Sequence, residues 1–229
     1  MPVKSHILVV DDEADVREVV QLNLRREGYA VSSAEDGAAA LEALRKSHFD
    51  AAIIDVMMPG MDGLTLCREI RKDGRLATLP ILLLTARDSE LDQIIGLEVG
   101  ADDFVSKSAS PRLITTRLKT LLRRSQQEES KGDSLVFGTL VLDRQRREVR
   151  SPDGPVPLTS MEYDLLLLLA ENPQRVFTRE DLLTAIWNEV IVNDRTVDVH
   201  IKNLRQKIGA EGALIETVRG VGYRVRRPA

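Results

Sequence analysis

Five polar residues stand directly behind short apolar runs. Asp11 and Asp12 follow Ile7-Leu8-Val9-Val10. Asp55 follows Ala51-Ala52-Ile53-Ile54, Thr85 follows Ile81-Leu82-Leu83-Leu84, and Lys107 follows Phe104-Val105-Ser106. Gathered in one place, three carboxylates would repel and raise one another's pKa. A divalent cation removes that conflict, and an oxygen-only donor set with room for water suits Mg²⁺. A central carboxylate can attack phosphorus to give an aspartyl phosphate. The metal and Lys107 would neutralise charge on the transferring group, and the Thr85 hydroxyl could donate to a phosphoryl oxygen. Taken singly, each Asp, and Thr85 as well, reads as a helix cap or turn former. Lys107 alone reads as a solvated lysine.

Their shared position argues for more. The first half alternates strand-like runs with helical patterns: Val16, Val20 and Leu24, then Ala38–Leu44, Leu64–Ile70, Asp88–Val99 and Leu113–Leu122. A weaker strand lies at Ala30-Val31-Ser32, and Gly60 and Gly63 bracket a loop. This (βα)5 order predicts an α/β doubly wound fold with a parallel sheet covered on both faces. In such a sheet, ligands bind beyond the carboxyl ends of the strands. All five polar residues sit at that edge.

Residues 125–134 contain no apolar side chain and predict a linker between a first domain, 1–124, and a second, 135–229. The second half opens with short alternating runs between Leu135 and Val149, as in a small antiparallel sheet. Three helical patterns follow at Ser160–Glu171, Arg179–Trp187 and Asp194–Ile208, and the chain closes on a hairpin around Gly220-Val221-Gly222.

The 229 residues carry a net charge of −4 that hides an asymmetry. Residues 1–130 hold 17 Lys and Arg against 22 Asp and Glu, whereas 194–229 hold 8 against 4. Charge per domain is therefore the useful quantity. No apolar run reaches the ~18 residues of a membrane span, the start lacks the pattern of a signal peptide, and Cys67 has no partner cysteine. A cytoplasmic protein with no membrane partner is expected.

In the pattern Asp194–Ile208, Val197, Ile201, Leu204 and Ile208 form a core stripe. At 100° per residue the opposite face holds Arg195, Val199, Lys202, Asn203 and Gln206, flanked by Thr196, His200, Asp198 and Arg205. Such a face can read base edges through Lys, Asn and an exposed Val, with Arg205 and His200 on phosphates. A solvated polar face is the plain alternative, and His200 could instead be a core or capping histidine. The hairpin favours nucleic acid, because an Arg at a hairpin tip, here Arg219, can enter a narrow minor groove.

Two resemblances follow. Through Ile7–Glu13, Ile54–Gly63, Leu84–Arg87 and Gly100–Lys107, the first ~123 residues resemble the receiver domain of two-component response regulators. Residues 135–227 resemble the winged helix-turn-helix (α+β) effector domain of the phosphate-regulon and osmoregulatory activators, through Leu158–Leu166, Arg179–Leu183, Arg195–Ile201, Leu204–Ile208 and Thr217–Tyr223. The resemblance implies a transcription factor, not a turnover enzyme, in which Asp55 accepts a phosphoryl group from a histidine kinase. It implies Mg²⁺ on Asp11, Asp12, Asp55 and the Met57 carbonyl, with Asp11 acting through water. Thr85 and Phe104 would form the switch pair, and Lys107 would bridge to phosphate. It further implies a homodimer on activation through Ile95, Asp102, Asp103, Leu113 and Arg117, RNA polymerase as a partner, and binding to direct repeats. Val199, Lys202 and Asn203 would face bases. Arg195, His200 and Arg205 would contact phosphates, Arg219 would enter the minor groove, and Trp187, Thr196 and Thr217 would add backbone contacts.

Departures mark this chain. Ser108 follows Lys107 where the family usually has Pro, often with a cis bond that would cost ~2.5–4 kcal/mol before Ser. Ile95 and Leu113 stand where an ion pair is usual, and Asn203 where Arg is common. Two other readings compete: a phosphorylation-independent DNA-binding regulator, and a metal-dependent phosphohydrolase. The latter would need a carboxylate two residues after Asp55, where Met57 stands.

Overall fold

A computed structural model describes residues 5–86, 96–126, 134–187 and 195–226, without the side chains of 123–126 and 195. The chain divides into two compact units at residues 123 and 124.

In the first unit, strands β1 (His6–Val10), β2 (Ala30–Ala34), β3 (Ala51–Asp55), β4 (Ile81–Thr85) and β5 (Asp103–Ser106) form one parallel sheet. Its order is β2-β1-β3-β4-β5. That is a doubly wound topology, whose switch point lies between β1 and β3. Every residue of β3 and β4 is buried, as a sheet covered on both faces requires. Leu8, Val10, Ala52, Ile54, Ile81 and Leu83 share one core with Leu41, Leu44, Leu66 and Ile70. Those last four come from helices α2 (Gly37–Lys46) and α3 (Gly63–Lys72). By alternation, Ile7, Val9, Ile53 and Leu82 face the other way. The buried Val20, Leu24, Ile114 and Leu118 there belong to α1 (Ala14–Arg26) and α4 (Pro111–Gln126).

Local signals explain the helix starts. The Asp36 side chain accepts from Ala39 N at 2.8 Å, and Asp62 accepts from Thr65 N at 2.6 Å, so each caps its helix. Of the expected helix Asp88–Val99, residues 96–98 are helical and 87–95 lie outside the described residues. The expected linker touches regular elements at both ends: Ser125 and Gln126 belong to α4 and Ser134 begins the next strand, while 127–133 lie outside the described residues.

The second unit opens with an antiparallel sheet of β6 (Ser134–Phe137), β7 (Leu140–Asp143), β8 (Glu148–Ser151) and β9 (Gly154–Val156). Helices α5 (Ser160–Glu171), α6 (Arg179–Trp187) and α7 (Arg195–Lys207) follow. Helix α5 starts on a capping box of Thr159 and Glu162. The closing hairpin, β11 (Ile215–Val218) and β12 (Gly222–Val225), carries a third strand absent from the sequence reading. This is β10 (Phe177–Thr178), which pairs with β12. That contact needs Gly222, because a Cβ there would stand 2.0 Å from the Phe177 carbonyl oxygen.

Candidate functional site

The sheet brings four of the five predicted polar residues to the switch-point edge at close range. Asp11 and Asp55 are fully buried, Asp12 is exposed, and one ligand oxygen from each lies within 4.8 Å of the others. Lys107 closes the cluster. Its Nζ lies 2.9 Å from Asp55 Oδ2 and 3.1 Å from Asp11 Oδ2. Thr85, 4% exposed, ends the neighbouring strand, and its carbonyl accepts from Lys107 N at 2.8 Å. Phe104 is half-buried against the core shared with α2 and α3.

Two site residues escaped the sequence reading. Glu13 holds Lys107 at 2.9 Å while itself exposed; the run Asp11-Asp12-Glu13 was the available signal. Gly63 starts α3 against the back of the nucleophile candidate, where a Cβ would stand 2.1 Å from the Asp55 carbonyl oxygen. Its spacing from Asp55 was visible, but the close approach needs the three-dimensional turn.

The electrostatics suit a cation. Burial pushes the Asp55 carboxyl above its ordinary value, against the pull of Lys107. For Lys107, burial opposes the charge, but the three carboxylates it faces, Asp55, Glu13 and Asp11, together outweigh it and raise its pKa. Both Asp55 oxygens and Asp11 Oδ2 are buried without a well-formed hydrogen bond from any described residue. The 2.9 Å approach of Lys107 to Asp55 gives charge compensation rather than satisfied lone pairs. Hard, unsatisfied carboxylate oxygens in one cluster fit Mg²⁺. Met57, two residues on, is 56% exposed.

The Lys107 loop reaches the site without proline. Among the described residues no peptide bond is cis. Ser106 Oγ and Ser108 Oγ are 2.8 Å apart, and Ser108 N donates to Ser106 Oγ at 3.3 Å.

The dimer expectations need revision. Asp102 is fully buried: its Oδ2 accepts from Arg71 Nη2 and from Ile81 N, both at 2.8 Å. Arg71 also donates to the carbonyls of Ala77, Leu79 and Gly100. Asp102 is thus bound inside its own domain and is no surface group. Asp103 and Arg117 are also buried and pair with each other at 3.4 Å. Leu113 is half-buried, and Ile95 lies outside the described residues.

On α7, Val197, Ile201 and Leu204 are buried as the stripe predicts, and so is Ile208 just past its end. The buried sector is wider than that stripe. Thr196 and His200 are 2% and 1% exposed, and Val199, expected to face outward, is 8% exposed. For His200 the cover includes α6, whose buried Trp187 ring stands 5.5 Å from it. His200 therefore matches the core alternative rather than a phosphate contact. Lys202 and Gln206 are exposed and Asn203 is half-buried. Arg205 is turned inward, donating to Ile215 O at 2.7 Å and Thr217 Oγ1 at 3.0 Å. Thr217 is exposed. Arg219 is exposed at the hairpin tip beside Gly220, whose φ of +74° favours glycine. The Arg195 side chain lies outside the described residues.

Residues 7–119 match the response regulator receiver domain, and 153–225 match the transcriptional regulatory protein, C terminal domain. The chain is 43% identical over 231 residues to the response regulator MprA of Mycolicibacterium vanbaalenii, covering 99% of this chain and 98% of the relative. The chain is a response regulator. The alkaline phosphatase synthesis transcriptional regulatory protein PhoP of Bacillus subtilis is 41% identical, with 97% of each chain covered. Among solved structures, a mutant form of RitR is similar at TM-score 0.77 and 25% identity, covering 98% of this chain and 100% of the other. DrrB of Thermotoga maritima, an OmpR/PhoB homologue, is similar at TM-score 0.52 and 31% identity with the same coverage. This response regulator is accordingly a two-component transcription factor with a DNA-binding winged helix, and its family is non-catalytic. None of its described helices is long and apolar enough to cross a membrane.

Proposed function

We propose that this response regulator is switched by phosphorylation of Asp55. A histidine kinase would be the donor: the P–N bond of its phosphohistidine breaks as an Asp55 oxygen bonds to phosphorus. The observation that carries the reading is the state of Asp55, fully buried, with both oxygens unsatisfied among the described residues and an ammonium at 2.9 Å. Such a carboxylate has lone pairs directed into a charged, desolvated pocket rather than committed to the fold. Asp11, Asp12, Asp55 and the Met57 carbonyl would hold Mg²⁺, which would supply charge neutralisation for the phosphoryl oxygens. Lys107 would leave Glu13 and Asp11 to bridge the new phosphate, and Thr85 would donate to it, with Phe104 following as the second switch residue.

The response regulator would act in the cytoplasm, as a homodimer on DNA direct repeats and in contact with RNA polymerase. Leu113, with Ile95, would form the dimer surface to test, and the buried Asp103–Arg117 pair would have to open to join it. Lys202 and Asn203 would meet bases, Arg195 phosphates and Arg219 the minor groove, with Trp187, Thr196 and Thr217 lending support. The deciding comparison is DNA affinity of wild type and Asp55→Ala with and without a small phosphodonor and Mg²⁺. The donor should tighten only the wild type. Equal binding in all four conditions would leave a regulator that works without phosphorylation.

A further inference from the structure

Arg205 and Asp198 lie seven residues apart on α7, about two turns or ~10 Å along its axis, and both fasten the same hairpin. Asp198 Oδ1 accepts from Tyr223 Oη on β12 at 2.6 Å and from Arg179 Nε at the start of α6 at 2.8 Å. Arg205 grips the other strand through Ile215 O and Thr217 Oγ1. Two guanidinium groups stand over the Tyr223 ring, that of Arg179 5.3 Å and that of Arg205 5.5 Å from its centroid. Thr217 and Tyr223 are direct cross-strand partners, so the two fastenings meet across one rung of the ladder. Arg219 is only two residues beyond that rung.

We infer that Asp198, Tyr223, Arg179 and Arg205 form a clasp that sets the position of the wing tip relative to the reading face of α7. Arg205 and Tyr223 are then positioning residues: they act on DNA recognition through Arg219, and Arg205 is not itself a phosphate contact. The geometry supports this over general stabilisation. A hairpin held at one point can pivot, whereas two fastenings on one rigid helix and a lever of two residues remove the pivot. Preorganisation of that kind lowers the ordering cost when helix and tip engage DNA together. The outward face of the hairpin takes no part, since Arg224 and Arg226 there pair with Glu216.

The inference rests on Arg219 contacting DNA. The test is a double-mutant cycle in the full-length chain, with a duplex selected by the wild type from a random pool and binding read by fluorescence anisotropy at fixed salt. Tyr223→Phe removes one hydroxyl and keeps the ring; Asp198→Asn is the second route to an opened clasp. Thermal melts establish that each variant is folded. Arg219→Ala should weaken binding about tenfold in the wild-type background. In either opened-clasp background it should weaken binding by no more than about twofold, because sites coupled through one network are non-additive. A purely stabilising network would leave the Arg219→Ala factor equal in all backgrounds, and that result overturns the clasp. An Arg219→Ala factor near one in the wild type overturns it too, by leaving no wing contact to position. Failure of the wild type to select any duplex would instead sink the DNA-binding reading itself.

Discussion

Lys107 Nζ stands 2.9 Å from Asp55 Oδ2 and reaches it across a trans bond to Ser108. The usual proline is therefore not needed to aim this lysine. The Ser106 and Ser108 hydroxyls, 2.8 Å apart, tie the loop instead. A phosphorylation-independent reading drew its support from this departure, and Lys107 stands against Asp55 all the same.

Lys107 is also the cation that the described side chains set against the buried oxygens of Asp55 and Asp11. Lys107→Ala should lower the metal-free melting temperature, since buried like charges are left facing each other. A loss of ~5 °C or more is expected. Added Mg²⁺ should raise the melting temperature more in the variant than in the wild type, because the ion takes over the missing positive charge. Differential scanning fluorimetry with EDTA and with Mg²⁺ reads both effects. An equal Mg²⁺ shift in the two proteins would contradict this account.

The edge carrying Asp11, Asp55, Thr85 and Lys107 was legible because apolar runs mark parallel strands, and each strand end is fixed by its sequence. Side-chain direction on α7 was less legible. A four-residue stripe gives the centre of the buried sector but not its width, which also takes in Thr196, Val199 and His200, the last against Trp187 of α6. Asp102 was misplaced for a related reason. Sequence adjacency to Asp103 says nothing about Arg71, 31 residues earlier, whose guanidinium meets it at 2.8 Å. Strand β10 was too short for periodicity to register.

Asp102→Ala should destabilise the receiver rather than act first on self-association. It strips the ion-pair partner from an Arg71 side chain only 11% exposed and removes the acceptor of Ile81 N. Breaking such a buried pair from one side costs ~3–5 kcal/mol. Urea unfolding of the receiver should show the loss at concentrations where the chain is monomeric. Unchanged unfolding with weakened dimerisation would restore the interface reading.

Gly63→Ala should damage the site from behind. Its Cβ would meet the Asp55 carbonyl oxygen at 2.1 Å, and backbone rather than a flexible side chain must yield. The start of α3 and the loop after Asp55 would separate, moving the Met57 carbonyl away from the carboxylates. Mg²⁺ affinity, followed by the thermal shift on titration, should fall along with stability. Gly74→Ala, where nothing lies within 4 Å of the added carbon, is the matched control and should change neither.

Burial, reinforced by the hydrogen bond to Asp198, pushes the Tyr223 phenol up to about 12. The native state therefore holds this proton more tightly than the unfolded chain, whose phenol titrates at the ordinary value near 10. The stabilisation is fully present below about pH 10 and is lost as pH rises toward about 12. Wild type should lose stability across that window faster than Tyr223→Phe, which has no phenol to ionise. Absorbance of the native protein at the phenolate band should show the late Tyr223 step in wild type and its loss in the variant, over a background from Tyr29, whose phenol burial also raises. If the variant kept that step, the hydroxyl on Asp198 would not be the tightly held one, and the fastening between wing and α7 would be weaker than the 2.6 Å contact implies.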